Sequence, residues 1–334
     1  SGPTVIGITL GDINGIGLEV SLKSTQHRFP AGTRLVLIGS APIVAEQASA
    51  LGLPAPPTWD PAQSAIPSRR VSVWDPTPSA DLSWTPGRLD PAAARAAYQW
   101  ILDGVAACRD GRLGALVTAP ISKEGFARAG LDVLGHTELL AERTRTKRYA
   151  MLLFGGDLRV VLVTRHIPIA KVAASLTQPR IRDAVELTHE ALPWLGAPEA
   201  RIAVCGLNPH AGDGGHIGRE EINIIEPAVR MLKKRGLNVS GPVPADTVFF
   251  QARRGDFDAV VAMYHDQGLA PLKMLAFDQG VNVTLGLPII RTSPDHGTAF
   301  GIAGQGVARA DSMLQAIRTA HRLTQHANPW AGVP

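Results

Sequence analysis

The chain has only two cysteines in 334 residues, Cys108 and Cys205. Two thiols cannot build a disulfide framework or a cysteine-based metal site, and each lies in an apolar stretch, so both read as buried thiols of a reducing compartment. No apolar run approaches the roughly 20 residues of a membrane-spanning helix. After Ser1-Gly2-Pro3 the sequence enters an apolar strand at once, without the charged segment and apolar core of a secretory leader. The expected location is the cytoplasm, with no membrane partner. A long basic run is also missing: 33 basic residues are scattered against 29 acidic ones, for a net charge of +4. That balance gives a nucleic-acid surface little support and suits a small anionic substrate. Gly-x-Gly-x-x-Gly and His-Glu-x-x-His are both absent, so neither a Rossmann dinucleotide turn nor a short zinc signature is present.

Hydrophobic residues make up 45% and charged residues 19%, enough for two domains or one large α/β unit. Short β-branched runs alternate with longer amphipathic stretches, which predicts a largely parallel sheet with helices on both faces. Strands are expected at residues 5–10, 34–38, 115–118, 151–154, 160–164, 202–206 and 259–263. Helices are expected at 17–27, 42–51, 91–109, 180–192, 220–235 and 308–326. Residues 52–91 carry Pro54, Pro56, Pro57, Pro61 and Pro67, and read as an irregular surface excursion. No single linker cuts the chain, which leaves open a discontinuous domain built from both ends around an inserted one.

Three strand-like runs finish alike, at Thr164-Arg165-His166, Leu207-Asn208-Pro209-His210 and Met263-Tyr264-His265. Each delivers an imidazole just past a strand's carboxyl end, the edge where open α/β sheets bind ligands, and imidazole is a common ligand for zinc-like ions. The alternative is three separate loop histidines, each hydrogen-bonded locally. Glycine-rich turns accompany them: Gly11-Asp12-Ile13-Asn14-Gly15-Ile16-Gly17 and Asn208-Pro209-His210-Ala211-Gly212-Asp213-Gly214-Gly215. Such turns either bring backbone amides to an anion or simply make a tight strand-to-helix corner. Gly135-His136-Thr137-Glu138 leads into a helical stretch, where Thr137 could serve as N-cap. Lys273 and Arg291, with Asn282 between them, could neutralise a carboxylate or phosphate or could be solvated surface charge.

In this order the segments resemble the PdxA family, the 4-hydroxythreonine-4-phosphate dehydrogenases. The likeness extends from the first glycine turn through Gly-His-Thr-Glu, Arg-His-Ile-Pro, Leu-Asn-Pro-His-Ala-Gly and Tyr-His-Asp-Gln-Gly to Arg-Thr-Ser-Pro-Asp-His-Gly-Thr-Ala, nearly the whole chain. It implies a two-lobed α/β/α fold like that of isocitrate and isopropylmalate dehydrogenases, with the active site in the inter-lobe cleft. Residues 1–130 with 285–334 would form one lobe, and 131–284 an inserted lobe with the metal histidines and the dimer interface. It implies a homodimer with shared active sites and one divalent cation (zinc, magnesium or cobalt) on His166, His210 and His265. Substrate contacts fall on His136, Thr137, Lys273, Asn282 and Arg291. NAD, with NADP as the alternative, falls on Asp295, His296, Gly297 and Thr298.

The implied reaction oxidises 4-phosphooxy-L-threonine at its secondary alcohol and releases carbon dioxide, giving 3-amino-2-oxopropyl phosphate for pyridoxal phosphate synthesis. Lys273 or Asp246 would carry the proton. Ile13, Asn14 and Leu18 stand where many members have Pro, Ala and Pro, and Gly301 where an acidic residue is frequent. Related substrates, phosphorylated threonate or erythronate and aromatic cis-dihydrodiols, are the nearest alternative. A metal-dependent hydrolase and a non-catalytic ligand-binding protein are rivals of other classes.

Overall fold

Fully buried parallel strands have apolar neighbours on both faces, so they appear in sequence as unbroken aliphatic runs. Every run of that kind noted above forms a strand in the computed structural model, which describes residues 2–78 and 81–332. The chain makes two compact units, one of residues 1–146 and 287–334, the other of 147–286.

The first unit contains β1 (Thr4–Thr9), α1 (Gly17–Thr25), β2 (Thr33–Ile38), α2 (Ala41–Ala50), β3 (Val71–Trp74), α3 (Pro91–Arg109), β4 (Ala115–Thr118), α4 (Lys123–Arg128) and α5 (His136–Arg143). The second contains β5 (Ala150–Gly155), β6 (Leu158–Leu162), α6 (Val172–Ser175), α7 (Gln178–Trp194), β7 (Ile202–Cys205), α8 (Glu226–Lys234), β8 (Val239–Val243), α9 (Ala245–Arg253), β9 (Ala259–Ala262), α10 (His265–Ala276) and β10 (Val281–Leu285). The chain then returns to the first unit with β11 (Arg291–Pro294) and α11 (Asp311–Thr324).

Strand order in the first unit is β3-β2-β1-β4-β11, all parallel. The connections from β1 run outward through β2, while β4 lies on its other side, so the order reverses between β1 and β4. At such a switch point the carboxyl ends of the strands leave a crevice for a ligand. The second unit has the order β10-β5-β6-β9-β7-β8, parallel from β6 onward, with β5 antiparallel to both its neighbours. Its core packs Val160, Leu162, Ala203, Cys205, Val260 and Ala262 against Val248, Leu269 and Leu272.

Several sequence expectations need correction. Residues 52–91 are not wholly irregular, since Val71–Trp74 pair with β2. The helix expected at 220–235 starts with a π turn, Glu221–Ile225, before α8. Cys205 is buried, and burial pushes its thiol up to about 12. Cys108 is half-buried as a residue, but burial pushes its thiol up to about 12 as well, so both thiols are enclosed as expected.

Candidate active site

In the second unit β6, β9 and β7 run side by side, with Val160 opposite Val260 and Ile202 opposite Ala259, so their carboxyl ends share one edge. Beyond the strands the chain keeps step. Val163 N donates to Ala262 O (2.9 Å), and Thr164 donates to Met263 O through N (3.2 Å) and Oγ1 (2.6 Å). This pairing carries His166 and His265 to a ring-centroid separation of 5.6 Å. His265 opens α10, with Nδ1 2.7 Å from Asp266 Oδ1. Buried Gln267 ties the strand exits together: Oε1 accepts from Met263 N (2.8 Å), and Nε2 donates to Gly206 O (2.9 Å).

His210 leaves β7 by another route. From His210 to Gly214 every φ is positive, between 45° and 85°, a conformation that costs each non-glycine residue roughly 1 kcal/mol or more. Buried Glu221 holds the loop that carries it. Oε1 accepts from Leu207 N (3.0 Å) and Asn208 N (2.7 Å), and Oε2 accepts from Asn208 Nδ2 (3.0 Å). Gly212 is required there, because a Cβ would stand 2.7 Å from Glu221 Oε2 on a backbone with φ of +85°. His210 itself is exposed. Among the described residues no three His, Cys, Asp or Glu side chains are gathered to hold a metal. The pair His166 and His265 is therefore formed, and His210 lies outside it. Two imidazoles sharing one ion through nitrogens about 2 Å from it stand at about the observed ring separation, so the pair fits a divalent cation as two of its ligands.

Lys273 lies about two turns along α10 from His265, half-buried, its Nζ 5.8 Å from the Phe277 ring centroid. Asn282 is buried in β10, and its Oδ1 is enclosed without a hydrogen-bond partner. Asp246 is exposed in the first turn of α9.

In the first unit Arg291 begins β11 at 3% exposure, donating through Nε (3.1 Å) and Nη2 (2.8 Å) to Thr118 Oγ1 at the end of β4. Burial pulls its guanidinium down to about 10, with the Glu138 carboxylate opposing, so it remains a cation at neutral pH. His136 begins α5, and its Nε2 is enclosed without a partner. Burial first, then the Arg291 charge, hold this imidazole well below its ordinary range and keep it neutral. Thr137 does not cap the helix: it is buried inside α5, and the N-cap, Gly135, supplies no side-chain bond. A buried cation, a neutral ring nitrogen lacking a partner and a helix start without a side-chain cap are groups that could receive an anionic group.

The first glycine turn is fixed from several sides. Asp12 N donates to Pro120 O (2.9 Å), Gln47 Nε2 to Ile13 O (3.2 Å), and Ile16 N to Thr298 O (2.9 Å). Gly15 has no room for a side chain, since a Cβ would lie 2.8 Å from Thr298 O. The loop of Asp295, His296, Gly297 and Thr298 thus packs on this turn, with Asp295 N donating to Ser312 Oγ (3.0 Å) and His296 Nδ1 2.9 Å from Gly297 O. Downstream, Glu19 accepts from Ala308 N (2.8 Å) and Lys23 donates to Ala308 O (2.7 Å), fastening the following segment to α1.

A family model described as the pyridoxal phosphate biosynthetic protein PdxA matches residues 31–320. The chain belongs to the PdxA family. A 4-hydroxythreonine-4-phosphate dehydrogenase of Chromobacterium violaceum is 43% identical, covering 97% of this chain and 98% of the relative. A putative D-threonate 4-phosphate dehydrogenase of Oceanobacillus iheyensis is 40% identical over 96% and 97%. The crystal structure of the Klebsiella pneumoniae 4-hydroxythreonine-4-phosphate dehydrogenase superposes with a TM-score of 0.85 at 40% identity, covering 96% of this chain and all of that one. A β-decarboxylating dehydrogenase of Thermococcus kodakarensis shares the fold alone, at a TM-score of 0.51 and 14% identity. The PdxA chain described here is accordingly an oxidoreductase of mixed α/β fold.

Against this PdxA frame, the residues that the sequence left without a role are Glu221, Gln267 and Asp12. Gln267 lies inside the Tyr-His-Asp-Gln-Gly motif, and Asp12 inside the first turn, but the bonds from Gln267 Nε2 to Gly206 O and from Asp12 N to Pro120 O join them to segments distant in sequence. Glu221 carried no local signal. Asp12 is 1% exposed; its Oδ1 accepts from Asn14 N (3.0 Å), and burial raises its carboxyl to about 6.

Proposed function

We propose that this chain oxidises the secondary alcohol of 4-phosphooxy-L-threonine with NAD, in the presence of a divalent cation, and that decarboxylation then gives 3-amino-2-oxopropyl phosphate. The observation that carries the reading is the receiver around Arg291, a buried cation beside the enclosed nitrogen of His136, in a chain of a dehydrogenase family. Arg291 binds the substrate's anionic group, and neutral His136 and buried Thr137 orient it. Asn282 offers its enclosed Oδ1 as an acceptor for a substrate hydroxyl or ammonium.

His166 and His265 would hold the cation, with His210 the third candidate ligand. When bound, the cation would act as a Lewis acid on the alcohol and would stabilise the charge that develops as carbon dioxide departs. Lys273, on the same helix as His265, moves the proton; Asp246, exposed on α9, is the alternative carrier. The loop of Asp295, His296, Gly297 and Thr298, fixed against the first turn, receives NAD. A homodimer with shared active sites completes the proposal.

The relative named for D-threonate 4-phosphate favours a second reading, with a substrate that keeps the phosphate and secondary alcohol but lacks the amino group. Both readings are tested by kcat/KM for NADH formation from the two compounds. A value at least 100-fold higher for 4-phosphooxy-L-threonine supports the first, and the reverse preference replaces it with the second.

A further inference from the structure

The turn from Asp12 to Gly15 closes with Gly15 N donating to Asp12 O (3.0 Å), and it contains two enclosed polar atoms without partners, Asp12 Oδ2 and Asn14 Nδ2. Both side chains are at or below 1% exposure. The bonds of their other atoms fix what each presents. Asp12 Oδ1 is taken by Asn14 N (3.0 Å), and Asn14 Oδ1 accepts from Thr85 N (2.8 Å), so the amide cannot be turned to exchange its nitrogen for its oxygen. One short turn thus holds a carboxylate acceptor and an amide donor that are both enclosed and unpaired, and leaving either unpaired is costly in a folded chain.

A primary carboxamide is the complement of such a pair. Its NH2 donates to the acceptor, and its carbonyl accepts from the donor. The place suits a ligand as well, because the turn leaves β1 at the β1/β4 switch point. It also lies under the loop proposed for NAD, with Thr298 O held by Ile16 N. The segments that meet the turn, residues 85–87 and 297–299, are largely exposed loop.

We propose that Asp12 and Asn14 form the subsite that reads the carboxamide of the nicotinamide ring, Asp12 accepting from its NH2 and Asn14 donating to its carbonyl. This rests on the NAD reading above.

The test is dinucleotide binding at pH 8, where Asp12 is ionised, using NAD and 3-acetylpyridine adenine dinucleotide, which keeps the carbonyl but replaces the NH2 with a methyl group. Wild type should bind NAD at least about 10-fold more tightly than the analogue, the size of one lost hydrogen bond to a charged group. Asp12→Asn places a donor opposite the NH2, and should bring the ratio of the two affinities to about one. Asn14→Asp keeps the acceptor for Thr85 but opposes the carbonyl, and should weaken both ligands about equally while leaving their ratio intact. An unchanged ratio in Asp12→Asn, or unchanged affinities in Asn14→Asp, would overturn the subsite while leaving the cofactor reading standing. Absence of any dinucleotide binding by the wild type would overturn both.

Discussion

Asp12 sits where burial opposes its ordinary ionised state. Burial, with the Asp90 carboxylate as a lesser cause, raises its carboxyl from 3.8 to about 6 against the hydrogen bond from Asn14 N. Between those values the folded chain holds a proton that the unfolded chain has released, so stability falls as pH rises through this window. The shift corresponds to about 3 kcal/mol once the pH is above 6. Asp12→Asn should therefore be more stable than wild type by up to that amount at pH 8 and equal to it near pH 4, as measured by urea denaturation at both pH values. A difference independent of pH would contradict the account. Arg291 carries the opposite expectation. Arg291→Ala should lose about 2 to 4 kcal/mol in kcat/KM, roughly 30- to 1000-fold, because a desolvated charge-assisted contact is removed. Parity of kcat/KM between variant and wild type would take Arg291 out of the substrate site.

Elements differ in how far the sequence reveals them, and the reason is physical. Strands such as β4, β7 and β9 are buried on both faces and are written as aliphatic runs. β8 contains Gly241 and Pro242, tolerated because it lies at the edge of its sheet, where a missing ladder donor costs little. β11 places Arg291, Thr292 and Ser293 in buried positions, so no apolar pattern announces it, whereas β10 alternates Val281, Val283 and Leu285 with buried Asn282 and Thr284. α5 was legible as the helical stretch after Gly135, whereas α10 contains Pro271, which obscures it from pattern alone. Histidines beyond strand ends were legible one by one. The approach of His166 to His265 depends on the registry of β6 with β9, and the left-handed loop of His210 on Glu221, neither of which a local window contains. Glu221→Ala should lower stability by about 2 to 5 kcal/mol by stranding the Leu207 and Asn208 amides, and should lower turnover as well. His210→Ala, at an exposed position, should lose turnover with its denaturation midpoint unchanged. Full turnover in the second variant would remove His210 from the chemistry.

At the scale of the whole molecule, the two units divide the expected chemistry between them. His136, Thr137, Arg291 and the 295–298 loop belong to the first unit, whereas His166, His210, His265, Lys273 and Asn282 belong to the second. If active sites are shared in a homodimer, subunit exchange between inactive His136→Ala and His265→Ala proteins should restore NADH formation, to at most about half of the heterodimer's sites by two-fold symmetry. No recovery after verified exchange would exclude sharing by these two residues. An NAD-linked oxidation that needs a divalent cation on this chain's imidazoles makes turnover depend on bound metal. NADH formation from 4-phosphooxy-L-threonine is followed on protein stripped of metal by chelation, and again after zinc, cobalt or magnesium is restored. Turnover should disappear on stripping and return with added ion in wild type but not in His166→Ala. Undiminished turnover by fully stripped protein would contradict this dependence.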